Sequence, residues 1–398
     1  MKKTGLLLLL GVMILLLSGC WNRRELNTLG IQLGTAIDKR GNEFQVAVQV
    51  VEPSAVAAKK ESGTYAPVVM YKTTAPTVFE AFRKLTEISP RKIYASHIRV
   101  LVLGESLARE GIGKVLDLLS RDSEPRTDFY IMVARDTEAE QILKILTPLE
   151  KIPSNKLYAS LEASSRAWAP TTTFTLDQLI NELVGPGINP VLSGIEVLGD
   201  PQQGEKKQNV EQILPAARLR FSNLAVFKRD KLVGWLSEDE SKGYNYIMDN
   251  VKSTVGHVKC PDGGNVVIET LRTNSKIKVV MEEGQPVIEI VMKNQSSVGE
   301  VECKINLEDP ETIRMLETKT EDIITERMKK AVSVTQTKFK SDIFGFGQAI
   351  YRSEPKTWKR LQADWSEHFT HLKVRYKVDV IIRKLGTVGN SFLNDIKE

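Results

Sequence analysis

The histidines and cysteines of this chain are the residues that, by type and spacing, could bind a metal ion. His368-Phe-Thr-His371 places two imidazoles three residues apart, and His257 with Cys260 and Cys303 nominally supplies three zinc ligands. The chain has only four histidines and three cysteines, which excludes a protein with several zinc sites. Because no further ligands cluster near either set, we predict no metal site and no cofactor.

The sequence motifs of nucleophilic and phosphoryl-transfer catalysis do not occur. There is no Gly-x-Ser-x-Gly elbow, and Gly185-Pro-Gly lacks the lysine and the spacing of a phosphate-binding loop. Asp342-Ile-Phe-Gly differs from the Asp-Phe-Gly of kinases by an inserted isoleucine. We therefore expect a protein that is not an enzyme. An exported hydrolase is the least favoured alternative, because no nucleophile is paired with a base.

The first twenty residues have the layout of a secretory leader. Met1-Lys2-Lys3 is basic, Gly5 to Leu17 is an unbroken run of 13 apolar residues and glycines, and small residues follow. A helix needs about 20 residues to cross a bilayer, so this run is short for a span. The uncharged stretch from Thr4 to Asn22 is longer and leaves an uncleaved transmembrane anchor as an alternative.

Cys20 favours a cleaved and lipidated leader. Leu17-Ser18-Gly19-Cys20 resembles the bacterial lipobox, in which an aliphatic residue and two small residues precede the cysteine that receives a diacylglycerol. We predict cleavage after Gly19, with Cys20 as an S-diacylglyceryl and N-acyl cysteine that anchors the chain in the bilayer. The rest of the chain is then expected on the outer face of the membrane, without a second span. An ordinary leader with a chance cysteine is the other possibility.

The two remaining cysteines would lie in an oxidising environment after export. A Cys260–Cys303 disulfide would close a loop of about 44 residues, worth at most about 4 kcal/mol in the chain-entropy model. Alternating strand patterns around both residues also allow two separate buried thiols. The sequence leaves both possibilities open.

Length and charge indicate a globular chain of two or three domains. The 398 residues correspond to two or three units of roughly 100–200 residues. With Lys+Arg 55 against Asp+Glu 50, the net charge is +5, which excludes an obvious nucleic-acid binder because such proteins cluster basic residues. Membrane attachment is therefore expected from lipid rather than from a basic surface.

One basic row stands out near the carboxyl end of the chain. Lys373, Arg375 and Lys377 alternate with apolar residues along a predicted terminal strand over Lys373–Ile382. Such a row could face anionic lipid or an acidic partner. It could also be the exposed side of an edge strand, where lysines discourage edge-to-edge pairing.

Helix-start signals and strand patterns predict an α+β fold with mixed sheets and packed helices. Thr77, Ser237 and Asp309 have the spacing of N-caps, and the last of these opens a long helix. Strands are expected at several apolar runs, and residues 52–72 are expected to form a loop. These strands include Ile98–Leu103, Phe129–Ala134, an edge strand at Ile195–Leu198, Val266–Thr270, Ile277–Met281 and Glu300–Leu307.

The predicted domain organisation follows from composition. Residues 1–19 form the leader, 20–200 an N-terminal α/β domain, and 201–214 a polar linker rich in turn-forming residues. Residues 215–398 form a C-terminal α+β region. This region can split near residue 300 into a strand-rich middle domain and a final helix-plus-sheet domain.

Seven segments, in order along nearly the whole chain, resemble one protein family. The N-terminal segments are Cys20-Trp-Asn-Arg-Arg-Glu-Leu26, Phe79-Glu-Ala-Phe-Arg-Lys-Leu85, Pro90-Arg-Lys-Ile-Tyr-Ala-Ser-His97 and Leu107-Ala-Arg-Glu-Gly-Ile112. The C-terminal segments are Asp342-Ile-Phe-Gly-Phe-Gly347, Pro355-Lys-Thr-Trp358 and Trp365. Together they resemble the GerAC-like, or Ger(x)C, lipoproteins, which are the C subunits of spore germinant receptors.

The resemblance implies an α+β protein of three domains, anchored by lipid in the spore inner membrane. It implies assembly with a multi-span A subunit and a multi-span B subunit into a complex that senses nutrients and triggers germination. Only Cys20 carries over as a functional residue. We therefore expect a receptor subunit that acts by protein–protein contact. The alternative is a lipid-anchored solute-binding protein that captures a small nutrient molecule, which a deep interdomain pocket would favour.

Overall fold

Two β-sheets flanked by helices make up the structure, a computed structural model that describes residues 28–52 and 66–384. Strands and helices are mixed throughout, which confirms the predicted α+β fold with mixed sheets and packed helices. Both sheets contain parallel and antiparallel neighbours.

The first sheet has nine strands. Their order is β3-β2-β1-β5-β6-β7-β8-β9, with the short β4 beside the start of β1. The central strands β1, β5, β6 and β7 are parallel, and the flanking pairs are antiparallel. The strands are β1 Leu29–Arg40, β2 Glu43–Val51, β3 Val68–Ala75, β4 Lys92–Tyr94, β5 Val100–Gly104, β6 Tyr130–Ala134, β7 Val191–Gly199, β8 Ala217–Lys228 and β9 Lys231–Trp235.

The second sheet has four strands in the order β10-β11-β12-β13. β13 lies parallel to β12 at one edge, and the other neighbours are antiparallel. The strands are β10 Thr254–Lys259, β11 Asn265–Glu282, β12 Gln285–Val301 and β13 Lys373–Lys384.

Helices connect and cover the sheets. The longest described helix crosses the second sheet, and its start is capped by Asp309, whose side chain accepts from the Glu311 N–H at 3.0 Å. The helices are α1 Val78–Lys84, α2 Glu105–Glu110, α3 Gly113–Arg121, α4 Ala139–Lys144, α5 Pro153–Ala167, α6 Leu176–Val184, α7 Pro201–Gly204, α8 Gln208–Glu211, α9 Glu238–Ile247, α10 Pro310–Val334, α11 Phe346–Ser353, α12 Pro355–Leu361 and α13 Trp365–His371.

The first sheet is buried on both faces. β5 reads as a continuous apolar run because side chains of both faces meet helices. One face packs against α4 and α5. The other packs against α1, α2, α3 and α6, and the same apolar cluster continues through α9 and α10 into the second sheet. A single core therefore joins both sheets.

The predicted domain boundaries do not coincide with the two sheets. Residues 201–214, the predicted linker, contain α7 and α8 and connect β7 to β8, which are antiparallel neighbours in the first sheet. The chain leaves this sheet only after β9. A split near residue 300 would separate β12 from β13, although the two strands pair. Turn-rich composition marks a surface connection, but does not show whether the chain returns to the same sheet.

Three predicted elements differ in the structure. β7 is an internal strand of nine residues, not an edge strand, because β6 and β8 pair on its two sides. Residues 68–72 belong to β3, which pairs with β2, although they were expected to form a loop. The strand expected at Glu300–Leu307 ends at Val301, where the pairing with β11 ends.

Candidate functional site

Cys20 and the lipobox residues Leu17, Ser18 and Gly19 lie outside the described residues, so the lipidation site stays a prediction. β1 begins at Leu29, nine residues after Cys20. At ~3.4 Å per residue, nine residues span at most about 30 Å. A lipid on Cys20 would therefore keep the start of β1 within about 30 Å of the bilayer. Among the described residues, no helix has the length and apolar character required to span a membrane.

Cys260 and Cys303 form a disulfide in the structure. Cys260 follows β10 and Cys303 follows β12, with their Cα atoms 6.5 Å apart. The bridge lies in a small apolar cluster between one end of the second sheet and α10. It closes a chain segment with a sequence separation of 43.

We expect the double variant Cys260→Ser/Cys303→Ser to lower the free energy of unfolding by about 2–4 kcal/mol. The reason is that the bridge restricts the unfolded chain more than the folded one. Urea titrations of both proteins, with and without a reducing agent, measure the effect. The variant should be insensitive to reductant, which serves as the control. Equal unfolding midpoints for the two oxidised proteins would contradict a stabilising bridge.

The histidine and cysteine sets examined as metal ligands are not brought together. The bridge occupies both cysteines, and His257 is exposed on β10. His368 and His371 are exposed on α13, and His371 Nε2 lies 3.4 Å from a carboxylate oxygen of Glu367. Across residues 28–52 and 66–384, no group of three metal-binding side chains occurs.

The basic row lies on β13, at the edge of the second sheet. Arg375 forms an ion pair with Glu282 of β11, and Lys377 Nζ lies 2.6 Å from Glu289 Oε1 of β12. Lys373 Nζ lies 3.9 Å from Oε2 of the same Glu282. Cross-strand ion pairs therefore offset part of this charge, which agrees better with an exposed edge strand than with a dedicated anionic-lipid site.

Asp342 is the centre of the most connected buried polar group in the C-terminal part. Its carboxylate Oδ1 accepts hydrogen bonds from the backbone N–H groups of Phe344 and Phe346 at 3.1 and 3.2 Å. Its Oδ2 accepts from the Gly347 N–H at 2.8 Å and from the Trp365 indole Nε1–H at 3.1 Å. The side chain thus fixes the turn that leads into α11 and ties this turn to α13.

The same turn packs against the N-terminal part of the chain. The Asp342 carbonyl accepts from the Asn189 N–H at 2.7 Å, and the Ser341 hydroxyl donates to the Phe227 carbonyl at 2.6 Å. Gly187, at φ +64°, lies so close to Gly347 that an added Cβ would be 2.6 Å from the Gly347 Cα. This contact requires glycine, and it joins the segment after α6 to α11.

Aromatic rings fill the space around Asp342. Trp358 and Trp365 have ring centroids 5.3 Å apart, and Phe344 and Phe346 have centroids 5.0 Å apart. These four side chains and Phe369 are buried in the common core. Trp358, Trp365 and Phe369, which follow one another at helical spacing, are therefore core residues. In the sequence, Asp342 lies in a segment that differs from the kinase Asp-Phe-Gly and in a family-like segment, but its burial was not predicted.

Burial raises the pKa of Asp342 to about 6, even though four hydrogen bonds favour its charged form. The folded chain then binds this proton more tightly than the unfolded chain, whose aspartate keeps a pKa near 3.8. The resulting stability is fully present below about pH 4 and is lost as the pH rises through about 6.

We expect wild type to gain about 2 kcal/mol over Asp342→Asn when the pH falls from 7 to 4, since the variant lacks this titrating group. Urea unfolding of both proteins across this pH range gives the difference directly, and groups common to both cancel. A difference that stays constant with pH would contradict the raised pKa.

Comparisons with known proteins place the whole chain among spore germination proteins. The model of the spore germination protein N-terminal domain matches residues 22–197. The model described as spore germination B3/GerAC like, C-terminal, matches residues 222–386. The two matches follow one another along the chain, as the family-like segments of the sequence do.

Individual relatives agree with the family models. Spore germination protein KC of Bacillus subtilis (strain 168) is 30% identical over 410 aligned residues, which cover 100% of this chain and 99% of the relative. Spore germination protein B3 of the same strain is 25% identical, covering 98% of this chain and 100% of the relative.

One solved structure shares the fold. A crystal structure of the GerBC protein superimposes with a TM-score of 0.54 at 19% identity, covering 88% of this chain and 96% of that one. This likeness extends to most of both chains. Together with the two family models and the relative at 30% identity, it confirms the resemblance seen in the sequence: the chain belongs to the GerAC-like, or Ger(x)C, family of spore germination proteins.

Proposed function

We propose that this chain is the lipid-anchored C subunit of a nutrient germinant receptor and is required for the germinant response of the spore. In this proposal Cys20 carries the lipid and holds the chain on the outer face of the spore inner membrane. Multi-span A and B subunits are its partners there. The subunit acts by protein–protein contact and not by catalysis.

The observation that carries the proposal is the extent of the likeness to spore germination protein KC. The aligned region takes in 100% of this chain and therefore includes the leader and Cys20. A likeness limited to the folded part would support a shared fold only. Here the targeting segment and the folded part are aligned together, which supports a shared location as well.

Two features of the fold support action by contact. One apolar cluster runs from Ile37 in β1 to Val380 in β13, so the two sheets share a core. The turn at Asp342 adds buried hydrogen bonds between the N-terminal and C-terminal parts. A folded body joined to the lipid by at most about 30 Å of chain stays close enough to the bilayer to contact membrane-embedded partners.

A germination assay tests the proposal. Spores that lack this chain should fail to respond to at least one nutrient, while a trigger that bypasses nutrient receptors still germinates them. Restoring the wild-type gene should restore the lost response. Deleted spores that respond to every nutrient as their parent does would contradict the proposal.

A further inference from the structure

A β-bulge in β1 places two polar side chains in an apolar layer. The register of β1 against β2 shifts between Gln32 and Gly34. In a regular strand, Gln32 and Thr35 would point to opposite faces of the sheet. The bulge brings them to the same face, where Gln32 Nε2 donates a hydrogen bond to Thr35 Oγ1. Each residue is only 1% exposed.

Gln32 and Thr35 line a cavity of about 590 Å³ between the first sheet and the layer of α1 and α3. This volume lies within the range of roughly 300–1,000 Å³ found for small-molecule sites. The other walls come from both helices and the segments between them, and they combine apolar side chains with polar ones such as Thr86, Lys92 and Ser123. The apolar side chains include Phe82, Leu85, Ile98, Leu118 and Leu119.

The carbonyl oxygen of Gln32 has no hydrogen-bond partner in the described part of the chain, although it is buried. Leaving a buried acceptor unpaired is unfavourable, so such a group usually marks a missing partner. Gln49 on the neighbouring strand shows the usual outcome, at the same 1% exposure. Its Oε1 accepts from the Ser154 N–H at 3.1 Å and from the Ser154 hydroxyl at 2.6 Å, and its Nε2 donates to the Leu143 carbonyl at 2.8 Å.

A cation without an ion pair lies at the mouth of the cavity. The Arg83 guanidinium is 4.8 Å from the centroid of the exposed Phe79 ring, and no described carboxylate forms an ion pair with it. The neighbouring charged groups are engaged. Lys92 pairs with Glu124, Arg121 pairs with Asp117, and Asp122 accepts from the Glu124 N–H.

We propose that this cavity binds a small amphipathic anion. The apolar body of such a molecule would fill the layer under α1 and α3. An N–H or O–H group would donate to Gln32 Oε1 once the side chain turns toward the cavity, since this oxygen is buried in the structure, and the anionic group would lie at Arg83. This site goes beyond the proposed function, because a subunit that acts through protein contact does not require a ligand. It lies within the N-terminal part of the structure, not between domains.

Indole-3-acetate is a suitable probe, since it combines an apolar ring, one N–H donor and a carboxylate. Calorimetric titration of the full chain should show one saturable site per chain. The variant Gln32→Leu should weaken binding at least tenfold, whereas Gln49→Leu, a matched buried glutamine on the other face, should not change it. 1-Naphthaleneacetate, which lacks the donor, should bind wild type more weakly and be insensitive to Gln32→Leu.

Thermal unfolding of the same variants separates a binding role from a structural one. Gln32→Leu removes an unpaired buried acceptor but also the hydrogen bond to Thr35, so the two effects oppose each other and the melting temperature should change little. Gln49→Leu breaks three hydrogen bonds and should lower it. Absence of saturable binding to wild type, or equal affinity in Gln32→Leu, would overturn the proposal. Neither result depends on partner subunits, so the receptor role would be left standing.

Discussion

Replacing Cys20 by alanine is expected to abolish lipid labelling and release the chain from the membrane. The thiol is the only position at which the predicted diacylglycerol can attach. Burial of acyl chains contributes about 0.8 kcal/mol per methylene, and two chains suffice for stable anchoring. The full chain has a net charge of only +5 over 398 residues, so no basic surface is expected to replace the lipid. Labelling with a fatty-acid analogue, followed by membrane fractionation, measures both effects.

Another position of the predicted lipobox supplies a matched control for this experiment. Ser18→Ala keeps a small residue two positions before the cysteine and should leave labelling and membrane retention unchanged. A Cys20→Ala protein that is still labelled and still sediments with membranes would show that the anchor lies elsewhere.

Asp342→Ala is expected to lower the free energy of unfolding by at least about 3 kcal/mol. The change leaves three backbone N–H groups and the Trp365 indole N–H without their acceptor inside the core. Each unpaired buried donor costs about 1–3 kcal/mol. The turn into α11 would also no longer be fixed by this side chain, so its packing against Gly187 would weaken. Urea unfolding followed by far-ultraviolet circular dichroism gives the value.

An exposed aspartate provides the comparison for Asp342. Asp117 on α3 pairs with Arg121 at the surface, and Asp117→Ala should leave the unfolding midpoint essentially unchanged. If Asp342→Ala unfolds at the wild-type midpoint as well, the buried hydrogen bonds do not stabilise the junction between the two parts.

Local chemistry made the helix starts predictable from sequence. Thr77 and Ser237 cap α1 and α9 as expected, and Asp309 with Pro310 starts α10. Each signal depends on residues within one turn of the helix end, so no tertiary contact is needed to recognise it.

Strand limits could not be predicted in the same way, because pairing partners set them. β11 runs unbroken from Asn265 to Glu282 through a polar stretch that separated two predicted strands. The polar residues stay extended since β12 pairs with them over the whole length. β3 was missed although its sequence, Val-Val-Met-Tyr-Lys-Thr-Thr-Ala, is rich in strand-forming residues, because the loop expected over residues 52–72 included its first five residues.

The buried polar groups could not be predicted from the sequence, for a related reason. The bulge at Gln32 depends on the register between β1 and β2, which no local motif encodes. The role of Asp342 as a hydrogen-bond acceptor could have been suspected from its position before Ile-Phe-Gly-Phe-Gly. Aspartate often accepts from the backbone N–H groups that follow it. Its contact with Trp365, 23 residues later, required the structure.

Co-purification from spore membranes tests the central claim most directly. Full-length tagged chain, isolated after mild detergent extraction and chemical cross-linking, should recover two different multi-span proteins in fixed ratio. The Asp117→Ala protein should recover both partners in the same amounts as the wild-type protein, which controls for the effect of a surface substitution. Recovery of the chain alone from cross-linked, germination-competent spores would contradict its role as a receptor subunit.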